Sequence, residues 1–171
     1  LDFEEVHEAV RQENIDFFIT NSSFYVELES QFKVSRIATL ENSLDNMSSS
    51  LFGGVIFTSI SRNDLKTITD LKGQSFMAVN PRSFGGWQMA WREIKKAGID
   101  PHRDFARLSF GETHDAVVHA VLSEKVAAGT VRTDTLERML AEGTIARNDF
   151  QIINAQPQDQ QFPYYRSTPL Y

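Results

Sequence analysis

At 171 residues the chain is long enough for one substantial core or two small lobes, and its 41% hydrophobic and 23% charged content is ordinary for a soluble globular protein. The absence of cysteine excludes a disulfide framework and a thiolate metal site. A net charge of -6 argues against general nucleic-acid binding, although the local field of a pocket can still favour a small anion.

No apolar run approaches the length of a membrane span, and the opening Leu1-Asp2-Phe3-Glu4-Glu5 does not read as a signal peptide. A start inside a helix-like segment reads as an excised piece of a longer chain. Val6, Ala9 and Val10 predict a helix over residues 3–12. Residues 15–20 predict a strand, Asn21-Ser22-Ser23 a turn that caps a short helix from Phe24, and residues 36–40 a second strand. Residues 41–50 are polar and serine-rich and read as a mobile loop; residues 53–58 predict a strong strand, and a polar segment covers 61–70.

From there the pattern becomes regular. A strand over 75–79 leads to a helix over 87–96, with Trp87, Ala90, Trp91 and Ile94 on one stripe and Gly98 at its end. A strand over 107–110 leads to a helix over 115–122. A strand over 126–131 leads to a helix over 135–141, closed by Gly143 and opened by a predicted Asp134/Glu137 capping box. Residues 150–153 predict a last strand and 156–161 a polar loop; there is no internal repeat. This alternation predicts a parallel α/β sheet with helices on its faces. Two blocks imply a single domain over 1–171 with two lobes, the first about 1–60 plus 151–171 and the second about 61–150.

In open α/β sheets ligands bind beyond the carboxyl ends of the strands. Four loops with suitable groups fall there: Thr20 to Ser23, Asn80 to Gly86, Gly111 to His114, and Arg132 to Asp134. The stretch Asn80-Pro81-Arg82-Ser83-Phe84-Gly85-Gly86 combines a hydroxyl with two glycines before a helix, a pattern that can hold an anion on backbone N–H groups. Ser83 is read either as a helix cap or as a ligand group. His114 is either a helix-opening residue or a ligand, and Arg132 either grips an oxyanion or pairs with Asp134 or Glu137. Tyr25 presents its hydroxyl to the cleft or to water, while Trp87 and Trp91 read as core. Ser83, His114 and Asp115 are the residue types of a hydrolytic triad, but Gly-x-Ser-x-Gly is absent, as are phosphate-loop, dinucleotide and His-Glu-x-x-His motifs. The chain looks equipped to hold something rather than transform it, and nothing in it calls for a cofactor or a metal.

Asp70-Leu71-Lys72-Gly73-Gln74-Ser75-Phe76, the Asn80-Pro81-x-Ser83 turn, Lys96-Ala97-Gly98-Ile99-Asp100-Pro101 and Thr113-His114-Asp115-Ala116-Val117 together resemble the phosphonate-binding family of periplasmic solute-binding proteins. Ser83 to Gln88, Ala128 to Arg138 and Phe162-Pro163-Tyr164 resemble a subgroup, the extracytoplasmic sensor domains of tetrathionate-sensing-type histidine kinases. The resemblance implies a two-lobed type 2 periplasmic-binding-protein-like (Venus-flytrap) α/β fold with an N-terminally truncated first lobe, and an oxyanion held between the lobes. It implies ligand-binding roles for Ser83, Phe84, Gly85, His114, Arg132 and Tyr25, which Asn21, Gly86 and Thr113 join as ligand-binding candidates from the loops at the same sheet end. Phe84 replaces a hydroxyl of the family's anion-gripping turn, which points away from phosphonate itself. Arg132 stands where relatives often carry an acidic residue that meets a ligand amine; this implies a ligand with more negative charge and no amine, such as a sulfur oxyanion.

The function expected is therefore the periplasmic ligand-sensing part of a membrane-anchored two-component histidine kinase, with no catalysis in this segment. The partners expected are a small oxyanion (phosphonate, phosphite or a sulfur oxyanion), no nucleic acid, the membrane only through flanking segments, and a second copy through an exposed strand edge. The alternatives are the solute-binding component of an ABC importer and, third, a hydrolase of small esters. A longer chain with a preceding strand restored is expected to bind better.

Overall fold

Every residue of the strand Gly54–Ser59 is buried. Such a strand needs hydrogen-bonding neighbours on both edges and apolar cover on both faces. The computed structural model, which describes residues 2–44, 47–156 and 167–168, supplies both. In chain order the elements are α1 (Phe3–Arg11), α2 (Ser22–Phe32), β1 (Asn42–Leu44), β2 (Met47–Ser49), β3 (Gly54–Ser59), β4 (Ser75–Ala78), α3 (Met89–Lys96), α4 (Pro101–Asp104), β5 (Arg107–Phe110), α5 (His114–Leu122), β6 (Ala128–Arg132), α6 (Thr135–Ala141) and β7 (Phe150–Ile153). A π-helical turn, Phe84–Gln88, precedes α3.

Five strands form one sheet in the order β5-β4-β6-β3-β7. β4 runs parallel to β5 and β6, as expected, whereas β3 is antiparallel to both β6 and β7. Alternation along β3 sorts the core into two layers. Val55 and Phe57 join Val117, Val121, Val131, Leu136 and Met139 under α5 and α6. Ile56 joins Phe76, Trp87, Ala90, Ile94 and Ile153 under α3. The predicted stripe on α3 is thus core, with Trp91 half-buried and stacked on Trp87.

Several expectations need correction. β3 and β7, assigned from sequence to a first lobe, hydrogen-bond within the same sheet as β4–β6. Their register, Ile56 opposite Ile153 and Val55 opposite Val131, depends on partners far along the chain. Residues 15–20 and 36–40 are not strands, because a strand needs a ladder partner and neither segment has one among the described residues. Phe17, Ile19 and Ile37 stand in solvent, 76%, 84% and 77% exposed. The expected loop over 41–50 contains the antiparallel pair β1–β2. Asp134 adopts φ 78° and makes no side-chain cap on α6, so the predicted box is absent. Gly98 and Gly143 do take the left-handed conformation expected after α3 and α6. Residues 157–161 and the Phe162-Pro163-Tyr164 motif lie outside the described residues.

Ser167 and Thr168 are fully buried and complete the edge of β3 where β7 stops. Gly54 N–H donates to Thr168 Oγ1, Ile56 N–H donates to Ser167 Oγ at 3.1 Å, and Ser167 Oγ donates to Ile153 O at 2.6 Å. These bonds hold the start of β3 at the sheet end where β4, β5 and β6 finish.

Candidate functional site

Because β4, β5 and β6 are parallel, the loops that follow them emerge at one end of the sheet. The loop after β4 passes through Asn80-Pro81-Arg82-Ser83 into the π-helical turn. Ser83 Oγ accepts from Gly86 N–H at 3.2 Å, so the cap expected from sequence is made. Gln88 N–H reaches back five residues to Ser83 O at 3.1 Å, and Met89 N–H reaches Phe84 O. Such wide turns recur at functional sites. This one depends on its glycines. A Cβ on Gly85 would lie 2.7 Å from Arg132 Cβ and 2.9 Å from Gly53 O, and one on Gly86 would lie 2.6 Å from both Ser83 Oγ and Val79 Cγ2. The absence of side chains here lets the turn press against the end of β6 and the start of β3.

His114 opens α5 and Arg132 ends β6. The Arg132 backbone N–H donates to His114 Nδ1 at 3.3 Å. Nδ1 is therefore unprotonated and the ring proton sits on Nε2. Burial, reinforced by the Arg132 charge, pushes the His114 pKa down to about 4, so the imidazole is neutral at physiological pH. The Arg132 side chain forms a two-pronged pair with Asp134, Nε to Oδ1 at 2.9 Å and Nη2 to Oδ2 at 2.6 Å. Of the readings left open by sequence, the Asp134 pairing is present, and Arg132 also lines the cleft.

The opposite wall comes from the N-terminal segment. Asn21 caps α2, its Oδ1 accepting from Phe24 N–H at 3.0 Å, while its Nδ2 donates to Arg82 O at 3.2 Å. Arg82 in turn pairs with Glu4 at 2.6 Å and lies over the Phe24 ring. These contacts seat α1 and α2 against the Ser83 turn. Between the two walls is a cleft of about 300 Å³, lined by Phe3, Ile19, Thr20, Asn21, Phe52, Ser83, Phe84, Gly85, His114 and Arg132.

Six of the residues named from sequence thus meet in one cleft: Asn21, Ser83, Phe84, Gly85, His114 and Arg132. Three do not line it. Gly86 is buried behind the turn, Thr113 accepts from Ala116 N–H as the cap of α5, and the Tyr25 hydroxyl donates to Glu29 one helical turn away at 2.5 Å. Sequence reasoning missed Phe3, Ile19 and Phe52. Phe52 precedes Gly53-Gly54 without any motif, and its edge-on packing against the Phe84 ring, 5.6 Å between centroids, joins residues more than thirty positions apart.

Residues 1–168 match the family described as the periplasmic substrate-binding protein of phosphonate ABC transporters. Over 174 aligned residues the chain is 34% identical to the tetrathionate sensor histidine kinase TtrS of Salmonella typhimurium, and the match takes in 100% of this chain but only 28% of that relative. Among solved structures it is similar to PhnD1 of Prochlorococcus marinus in complex with methylphosphonate, with a TM-score of 0.71 at 16% identity, covering 90% of this chain and 57% of that one. It is also similar to a binding-protein component of an ABC phosphonate transporter from Pseudomonas aeruginosa, with a TM-score of 0.70 at 17% identity, covering 89% of this chain and 50% of that one. The likenesses place the fold with the type 2 periplasmic binding proteins. The chain spans little more than half of those solved chains and under a third of the kinase.

Proposed function

Because this chain belongs to the family of periplasmic substrate-binding proteins of phosphonate transporters, we propose that it is the extracytoplasmic ligand-sensing domain of a two-component sensor histidine kinase and that it binds a small oxyanion in the cleft around Ser83, His114 and Arg132. The observation that carries the reading is the convergence of Ser83, His114 and Arg132 on one cleft. Charge-assisted bonds of this kind suit phosphonate, phosphite and sulfur oxyanions. The cleft lies between the N-terminal helices and the sheet end, so a ligand that touches both walls would favour their approach through its higher affinity for the closed state. Segments outside this chain would carry that change across the membrane, which places the domain in the periplasm and the phosphotransfer chemistry elsewhere in the parent protein. Whole-chain identity of 34% to a named tetrathionate sensor kinase supports the sensor assignment over an importer component.

The importer reading has its own support in the family description and in the solved Pseudomonas aeruginosa binding-protein component of an ABC phosphonate transporter. A kinase core encoded downstream in the same gene favours the sensor; a stop codon favours the importer. The site itself is tested by isothermal calorimetry with methylphosphonate, phosphite and tetrathionate. His114→Ala and Arg132→Ala are each expected to weaken the binding anion by about tenfold or more, the scale of one charge-assisted hydrogen bond. Full affinity in both variants would remove these residues from the site.

A further inference from the structure

The charges around the cleft cancel. Arg132 is the cation that lines it, and Asp134 holds two of its three guanidinium nitrogens at 2.9 and 2.6 Å. Arg82, on the adjoining turn, is paired with Glu4. His114 lends a donor but no charge, since its Nδ1 accepts the Arg132 backbone N–H. The polar lining carries no net charge: the Thr20 and Ser83 hydroxyls, which both donate and accept, the neutral His114 imidazole with its proton on Nε2, and Arg132, whose Nη1 is the nitrogen that Asp134 leaves unbound. The Asn21 oxygen is already used on Phe24 N–H, and both Asp134 oxygens are held by the guanidinium. The remaining wall is apolar, formed by Phe3, Ile19, Phe52 and Phe84.

From this arrangement we infer that the cleft selects a singly charged oxyanion head attached to an apolar or polarisable body, the sulfonate class, in preference to the dianions of phosphonate, phosphate or sulfate. The inference rests on the reading of the cleft as an oxyanion site and adds its selectivity. A dianion is strongly hydrated, and a site without net positive charge does not repay its desolvation. A sulfonate head has one negative charge, three acceptor oxygens and no proton, and its body is accommodated by the aromatic wall. Arg132 considered alone would favour a more highly charged ligand; Asp134 reverses that expectation.

The test is calorimetry at mildly alkaline pH with a matched pair, butane-1-sulfonate and butane-1-phosphonate, together with methanesulfonate and inorganic sulfate. Butane-1-sulfonate is expected to bind about tenfold or more tighter than butane-1-phosphonate, the effect of one partly screened charge. It is also expected to bind more tightly than methanesulfonate, because the longer body covers more of the aromatic wall. Asp134→Asn frees the Arg132 charge, and Asn tolerates the left-handed backbone found at this position. In that variant the phosphonate should gain affinity until the preference shrinks or inverts. Equal or tighter phosphonate binding by the unaltered chain overturns the selectivity while leaving the oxyanion site standing. An unchanged preference in Asp134→Asn overturns the role of charge cancellation. No binding of any of these anions, nor of those used to test the site, overturns the site and the selectivity together.

Discussion

Two half-buried titratable residues, His114 and Glu137, act in opposite directions on stability. His114 falls from an ordinary 6.5 to about 4, chiefly through burial. Between those values the unfolded chain binds more protons than the folded one, so His114 penalises folding as pH drops through that window and costs nothing above it. Glu137 is shifted the other way. Burial pushes its pKa from 4.5 up to about 7, against the lowering effect of the Glu137 and Asp134 backbone N–H groups. Here the folded state binds the extra proton, so stability falls as pH rises from about 4.5 through about 7. Urea denaturation across pH checks both signs. Glu137→Gln is expected to stabilise the fold above neutral pH by about 1–3 kcal/mol and to have little effect near pH 4, because a neutral amide replaces a buried charge. A variant that loses stability at high pH would show that the carboxylate has a favourable partner. At this scale sequence gave only part of the answer. The residue types at Ser83, His114 and Arg132 were readable, whereas the bond of Asp134 to Arg132 replaced a capping box that the same spacing had predicted.

Among the secondary-structure elements, β3 and its edge partners organise the site. Gly54 lies beyond the β7 register and its N–H donates to the Thr168 hydroxyl, while Ile56, opposite Ile153 at the end of that register, donates its N–H to the Ser167 hydroxyl. Thr168→Val keeps the shape and removes the acceptor, leaving a buried N–H unsatisfied. The expected cost is about 1–3 kcal/mol, measured as a lower urea midpoint with an unchanged slope. Because Gly54 packs where a Cβ would meet Gly85 O at 2.9 Å, weaker oxyanion binding should accompany the loss. The regular part of the chain, from β4 to α6, was legible element by element because alternation, helical stripes and terminal glycines act over short distances. The same signals misjudged 15–20 and 36–40. Both have strand-like composition, but propensity does not supply a neighbouring strand.

Across the whole molecule, order is distributed unevenly between the two walls of the cleft. The sheet wall carries two apolar layers and a continuous ladder. The N-terminal wall rests on α1, α2, Asn21 and the Arg82–Glu4 pair, and it exposes Phe17, Ile19 and Ile37. Native-state hydrogen exchange is expected to show the amides of 15–20 and 36–40 exchanging far faster than those of β3, and ligand to slow exchange at Thr20 and Asn21. Protection of 15–20 equal to that of β3 would reveal a strand partner supplied by a second copy of the chain. The sequence by itself determined the α/β alternation, the family resemblance, and the loops from which the Ser83, His114 and Arg132 groups come. Only the tertiary structure decided that β3 and β7 join the same sheet, that Phe52 and Phe84 pack together in the cleft lining, and that Asp134 neutralises Arg132 beside it. The division has a physical cause: helix stripes and turn residues express energies between neighbours in the chain, whereas strand partners and ion pairs are selected by whichever groups the packed core brings within reach.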